Sequence, residues 1–243
     1  MRIFGRVSYK GTNYQGWQKQ TSAPSIQETI EKVFSQIFNT SIIVYGSGRT
    51  DAGVHAKGQT FHFDVEKEVD LGKLLYSINC LLPNDIYINS LEKVDDDFHA
   101  RYSAKSKIYQ YNIRFGHRDI FENELEATIP QPCDISLLKE ALQLFIGKHN
   151  FQNFTSKEED EANFIREIYE IKCLEKGDKL SIILKGNGFM RYMIRYIVGT
   201  AIAISQNKEN INFIKERLDN TDKRNIVSYK APSEGLFLLD VLY

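Results

Sequence analysis

Apolar and polar residues alternate from Arg2 to Tyr9, a period of two that predicts a strand. From Ser25 to Phe38 the period lengthens: Ile26, Ile30, Val33, Phe34 and Ile37 recur at helical spacing and share one face. Ser25 followed three residues later by Glu28 has the form of a capping box, which fixes the start of that helix. Ile42–Gly46 and Lys57–Asp64 read as strands on either side of a glycine-rich turn. Asp70–Leu82 reads as a helix stopped before Pro83-Asn84, and Ile86–Val94 as a strand. The order is β-α-β-β-α-β.

The remainder repeats that order without recognisable sequence repetition. Ser106–Phe115 predicts a strand, and Ile135–Ile146 a helix between Asp134 as N-cap and Gly147 as C-cap. Phe164–Leu174 and Lys179–Lys185 predict a hairpin around Lys176-Gly177-Asp178. Phe189–Ser205 reads as a long helix, Ile211–Leu218 as a short one, and Leu236–Tyr243 as a last strand. The expectation is an α+β protein of two ferredoxin-like or RRM-like βαββαβ halves. Residues 1–103 form one half and 104–243 the other, with the boundary near Ser103–Lys105. Each half is an antiparallel sheet with helices on one face, and the two sheets adjoin to leave a central cleft. RNA-binding modules of this topology use the open face of the sheet.

Composition narrows the class. At 243 residues, 42% hydrophobic and 26% charged, the chain is globular rather than disordered or fibrous. No apolar run reaches the ~18–20 residues of a membrane span, and the start, Met1-Arg2-Ile3-Phe4-Gly5-Arg6, alternates like a strand rather than a signal peptide. Cys80, Cys133 and Cys173 lie far apart with no CxxC pair, which argues against a disulfide scaffold or a thiolate zinc site and for a cytoplasmic location. The net charge of −1 hides a polarised distribution. Met1–Gln27, Arg101–Arg118 and Lys185–Lys208 hold four, five and four of the 31 basic residues and none of the 32 acidic ones. That is either a basic face able to track phosphates or chance clustering on unrelated surfaces.

The most unusual stretch runs from Gly46 to Ala56. It fails the dinucleotide fingerprint, because its third glycine is misplaced and no helix follows. Gly48 and Gly53 have Walker-loop spacing, but Val54-His55 stand where Lys-Ser/Thr is required. What remains is a tight turn presenting Arg49 and Asp51. On extended backbone, residues two apart point the same way, so the guanidinium neighbours the carboxylate and keeps it ionised. Such an Asp is either a nucleophile or electrostatic stabiliser, or one end of an exposed Arg–Asp pair in an Asx-type turn. Asp51 with His55 suggests metal ligation only weakly, since no second cluster has ligand spacing.

These residues resemble the tRNA pseudouridine synthase A family, and the likeness runs nearly end to end. Tyr9 to Gln20, followed by Ser25-Ile26-Gln27, is similar to its first signature, and Gly48 to Ala56 to its most specific one. Asn79 to Pro83, Phe98 to Arg101 with Ser103-Ala104, and Tyr109 with Tyr111 also fit. So do Gly188 to Arg195 and Ala231-Pro232 with Gly235-Leu236. Departures are few: Asn150 stands where an Asp is usual, Ser233 where Ala is common, and Ser228 where a small residue is expected.

The resemblance implies isomerisation of uridine to pseudouridine in the tRNA anticodon stem-loop, at positions 38, 39 and 40 of standard tRNA numbering. It implies no metal or organic cofactor, and a homodimer that shares one tRNA between its subunits. By the match, Asp51 is the essential carboxylate, Tyr109 stacks on the target base, and Arg195 pairs with the carboxylate. Periodicity alone makes Tyr109 a core residue, since Tyr109, Tyr111, Ile113 and Phe115 share a strand face. Arg191 and Arg195 stand i, i+4 on a helix, where like charges ask for anionic partners; Asp51 suits Arg195, and phosphate suits Arg191. Arg49 then holds the flipped nucleotide or its phosphate. Lys10, Tyr14, Trp17 and Gln18 suit RNA contact, although Trp17 serves equally as a core residue. His55, Arg101, Lys105 and Lys107 complete the substrate-binding candidates.

Overall fold

The computed structural model describes residues 1–21, 23–156, 163–220 and 222–243. In chain order its elements are β1 (Arg2–Tyr9), α1 (Ile26–Phe38), β2 (Tyr45–Gly46), β3 (His55–Asp64), α2 (Leu71–Leu81) and β4 (Ile86–Val94). There follow β5 (Ser106–Phe115), β6 (Ala127–Ile129), α3 (Ile135–Gln143), β7 (Gly147–Asn150), β8 (Ile165–Lys176) and β9 (Lys179–Gly186). Helices α4 (Met193–Ser205) and α5 (Asn212–Asp219) precede the last strand, β10 (Leu236–Leu242). The class is α+β, and most of the strand pairings are antiparallel.

The chain folds as two compact units: Met1–Lys105 with Phe237–Tyr243, and Ser106–Leu236. In the first, β1 lies between β4 and β3, antiparallel to both, and β10 joins β3 in parallel with Phe237 opposite His55. The final strand thus completes the unit that begins the chain. Ile26, Ile30 and Phe34 of α1 are wholly buried, as are Ile3, Phe61 and Phe63 of the sheet, and the Phe34 and Phe63 rings lie 4.6 Å apart. Ser25 accepts from the Glu28 N–H at 3.3 Å, while the Glu28 carboxylate turns to Lys32 at 2.9 Å. Half of the expected capping box forms.

In the second unit β9 pairs with both β5 and β8, β7 flanks β8, and β6 runs parallel to β5. Every residue of α4 except Arg195 is buried, so this helix is the unit's apolar centre. It starts at Met193, four residues later than periodicity predicts, because Tyr192 takes a left-handed conformation (φ +62°). Strand β2 is likewise shorter than expected: the Val44 N–H donates to the Glu31 carboxylate at 3.1 Å instead of entering a ladder. Among the described residues no helix is long and apolar enough to cross a membrane.

One buried group gives the first unit a pH dependence. His62 is 2% exposed, its Nδ1 accepts from the Ala100 N–H at 3.2 Å, and its ring lies between Tyr45 and His99. Burial, then the neighbouring His99 and Arg2, push its pKa down to about 4. The unfolded chain takes up this proton near 6.5 and the native chain does not. The contribution is therefore complete above about pH 6.5 and is lost as pH falls toward 4, by up to about 2 kcal/mol. His62→Asn keeps an acceptor for Ala100 and cannot titrate. Urea unfolding from pH 7.5 to 4 is expected to give a shallower acid decline for the variant, and parallel curves would contradict this account.

Candidate functional site

Asp51 sits half-buried in the loop joining β2 to β3. The loop is anchored at its start by side chains of β3: the Ser47 hydroxyl donates to Gln59 Oε1 at 2.7 Å, and Gln59 Nε2 donates to the Gly48 carbonyl at 2.9 Å. It closes with a turn in which the Val54 N–H bonds the Asp51 carbonyl at 3.1 Å and Gly53 has φ +75°.

The segment after β1 grips the same loop from the other side. Trp17 N–H donates to the Thr50 carbonyl (3.1 Å), Gly53 N–H to the Tyr14 carbonyl (3.2 Å), and the Tyr9 and Thr50 hydroxyls bond at 2.8 Å. Two glycines make this possible. A Cβ on Gly11 would run into the Val54 carbonyl, and one on Gly16 (φ +88°) into the Thr50 carbonyl and Asp51 carbon. The first and second signatures are therefore one structural unit, two loops laid backbone against backbone with Asp51 on one of them.

This arrangement sorts the residues nominated from the first signature. Trp17 is 2% exposed and fills the space beside Gly46, where a Cβ would meet its ring, so it is a core residue in the protein without RNA. Tyr14 is also buried; its hydroxyl donates to Asp85 Oδ1 at 2.7 Å, and burial followed by that carboxylate raises its pKa. His55 is 1% exposed, stacks on Phe237 at 4.6 Å, and accepts from the Gly11 N–H through Nδ1 at 3.0 Å. In the neutral ring that bond places the proton on Nε2. Lys10 and Arg49 reach the surface. Arg49 Nε donates to Gln18 Oε1 at 3.2 Å, and it forms no ion pair with Asp51. The expectation of neighbouring side chains took 49–51 as part of a strand, and those residues lie outside any strand, between bends at 47–48 and a turn at 52–53. Arg101 and Lys105 are exposed, with the Arg101 guanidinium 5.8 Å from the centre of the Tyr102 ring.

In the second unit Tyr109 lies on β5 opposite Leu184, 8% exposed, with Phe189 edge-on at 5.3 Å. Tyr111 on the same strand face is wholly buried and donates to the Pro232 carbonyl at 2.8 Å. Lys107 is half-buried at the start of the strand. Arg191 precedes α4 rather than lying on it, so the expected i, i+4 helical relation with Arg195 is absent. Both side chains nonetheless converge on Tyr192, their guanidinium carbons 4.9 and 5.2 Å from its ring centre. Lys230 Nζ is a third cation there, at 4.6 Å. Arg195 Nε donates to the Ala231 carbonyl at 2.7 Å, while the Ala231 N–H bonds the Arg195 carbonyl at 2.9 Å. Tyr192 and Lys230 carry no signal in the sequence, because their meeting depends on the 229–231 backbone passing against Gly199 of α4.

The acid-free windows overstate the free positive charge. Arg2 pairs with Asp64 (2.9 Å), Arg6 with Asp240, and Arg114 with Glu126, Asp178 and Asp119. Each partner lies outside its window, which a linear count cannot see. Besides Lys19, which pairs with Glu31, the exposed cations of those windows are Lys10, Arg101, Lys105, Arg118, Arg191 and Lys208. Among the described residues no group of three or more His, Cys, Asp or Glu is placed to hold a metal ion.

A family model described as tRNA pseudouridine synthase matches residues 6–103 and 141–243. The chain is 35% identical over 239 residues to tRNA pseudouridine synthase A of Staphylococcus aureus strain bovine RF122 / ET3-1, covering 98% of this chain and 89% of the relative. The enzyme of the same name from strain MRSA252 is 34% identical, with 98% and 90% covered. Among solved structures, the crystal structure of a Cbf5-Nop10-Gar1 complex aligns with a TM-score of 0.37 at 14% identity. That alignment covers 82% of this chain and 54% of that one.

Proposed function

The chain belongs to the tRNA pseudouridine synthase family, and from that premise we propose that it isomerises uridines 38, 39 and 40 of the tRNA anticodon stem-loop with Asp51 as the essential carboxylate. The observation that carries the assignment is the double grip on the Asp51 loop. Three backbone or hydroxyl bonds from the first signature and two glycines without room for a Cβ hold one half-buried carboxylate in a fixed place. A structural surface Asp needs no such support, whereas a group acting on a sugar carbon must be placed closely.

The reaction breaks the C1′–N1 bond, turns the uracil, and forms a C1′–C5 bond. The C5 proton departs and N1 gains one, so the product is an isomer of the substrate. Positive character develops at C1′ when the glycosidic bond breaks, and an anion nearby stabilises it. The Asp51 carboxylate acts either by adding to the sugar or base or by removing a sugar proton to give a glycal. In this proposal Tyr109 stacks on the target base, Arg195 is the carboxylate's cationic partner, and Arg49 holds the flipped nucleotide. Arg101, Lys105, Lys107 and Arg191 contact the RNA backbone, with Lys10 and Gln18 beside the Asp51 loop. The enzyme works as a cytoplasmic homodimer on one tRNA and requires no cofactor.

The test is tritium release from unmodified tRNA labelled at uridine C5, with EDTA present, followed by mapping of the product. One tritium per pseudouridine in the anticodon arm is expected. Pseudouridine elsewhere would sink the position assignment, and a metal requirement would sink the cofactor-free chemistry. Phosphate contact has its own signature. Arg191→Met or Lys105→Met is expected to reduce the slope of log affinity against log salt by about 0.7–0.9 for each phosphate lost. A slope equal to wild type would remove that residue from the RNA face.

A further inference from the structure

Behind Arg49 runs an unbroken line of polar groups. Arg49 Nε donates to Gln18 Oε1 at 3.2 Å, and Gln18 Nε2 donates to Gln27 Oε1 at 2.8 Å. Gln27 Nε2 donates in turn to Glu31 Oε1 at 3.1 Å and to the Val44 carbonyl at 2.9 Å. Gln27 Oε1 also accepts the Lys19 N–H (3.0 Å), and Glu31 accepts the Val44 N–H (3.1 Å) and the Lys19 ammonium (3.4 Å). Glu31 is 8% exposed. Every link points the same way, from the exposed guanidinium to a carboxylate buried on α1.

The direction follows from the donor inventory. Glu31 and the Val44 carbonyl accept only, so Gln27 must turn its NH₂ to them and its oxygen outward. That oxygen faces Gln18, which must then offer its own NH₂ to Gln27 and its oxygen to Arg49. Both amides are thereby fixed without freedom to flip, and each bond polarises the next. A helix needs none of this merely to dock on a strand, and the apolar side chains of α1 already do that. What the line adds is a definite orientation for a guanidinium that lies on a surface loop two residues from Asp51.

We propose that Gln27 and Glu31 are positioning residues for uridine isomerisation: through Gln18 they set the direction in which the Arg49 guanidinium meets the substrate nucleotide. The inference rests on the substrate-binding role given to Arg49 above. With the line broken, Arg49 keeps its charge and loses its aim, so productive placement of the nucleotide suffers more than overall affinity for tRNA.

The experiment is a double-mutant cycle read by single-turnover kinetics, with enzyme in excess over C5-tritiated tRNA. Gln27→Met is expected to lower the rate about tenfold to a hundredfold, with tRNA affinity changed little. In an Arg49→Met background the same substitution is expected to cost almost nothing further, because the group it positions has gone. Gln18→Met, at a half-buried loop position, repeats the cycle without touching α1 and serves if the Gln27 variant folds poorly. Equal losses with and without Arg49 would overturn the relay and leave the Arg49 assignment standing. Wild-type kinetics for Arg49→Met would overturn both.

Discussion

Asp51→Asn is expected to abolish tritium release from C5-labelled tRNA while tRNA affinity stays within about threefold of wild type, a loss of turnover of at least about a thousandfold. The two side chains have the same shape, and the loop bonds described above come from its backbone and from the Ser47 and Thr50 hydroxyls. The substitution therefore removes one negative charge and leaves those bonds in place. Every route open to the reaction uses that charge, as nucleophile, as base, or as the anion facing the electron-poor C1′. Affinity is set mainly by phosphates and cations elsewhere. Asp85→Asn is the matched control, since the new amide oxygen still accepts from Tyr14, and turnover is expected to stay within about threefold. Full turnover by the Asp51 variant would remove this residue from the chemistry. Loss of turnover together with loss of binding would mean that the loop, rather than the charge, had been damaged.

The second large effect is expected at Gly16. Gly16→Ala meets two obstacles: a backbone at φ +88°, and a Cβ driven into the Thr50 carbonyl and the Asp51 carbon. The obstructing atoms are backbone, so they cannot swing aside as a side chain would. Gly177 in the hairpin between β8 and β9 separates the two costs, because it has φ +61° and nothing within 4 Å of where a methyl group would stand. Gly177→Ala is expected to cost about 1 kcal/mol, the left-handed penalty partly offset by a stiffer unfolded chain. Gly16→Ala must in addition either lose about 3 kcal/mol or more of stability or push the Asp51 loop aside. A displaced loop is expected to lower turnover about a hundredfold. Urea unfolding and single-turnover rates on both variants decide the matter. Should Gly16→Ala match Gly177→Ala in stability and rate, the two loops are not in the contact described.

Much of the architecture was legible because it is local. The strand β1 follows from alternation, α1 from its apolar stripe and Ser25, and α2 from Asp70, whose carboxylate accepts from Gly72 and Lys73. The Asp51 loop was legible as a motif, but its grip was not, since Gly11 and Gly16 meet Val54 and Thr50 only after the chain has turned back on itself. The start of α4 escaped notice for a different reason. Phe189 to Ile197 is apolar at helical spacing, and nothing in that pattern marks Tyr192 as left-handed. The Arg191–Arg195 relation inferred from helical spacing fell with it. Charge misled in the same way: the acids that hold Arg2, Arg6 and Arg114 come from distant segments.

The parallel seat of β10 beside β3 bears on how the protein is made. The first unit is discontinuous, with residues 106–236 of the second unit emerging between its two parts. At about 5–20 residues per second, the ribosome needs about 7–26 seconds to span that gap. For that interval the His55–Ala56 end of β3 waits without its partner strand, and His55 without the Phe237 ring that later covers it. An unpaired edge is a template for the wrong strand. The delay falls on the unit that carries Asp51, so in a nascent chain the second unit can close first and the Asp51 unit is finished last, by its most distal strand.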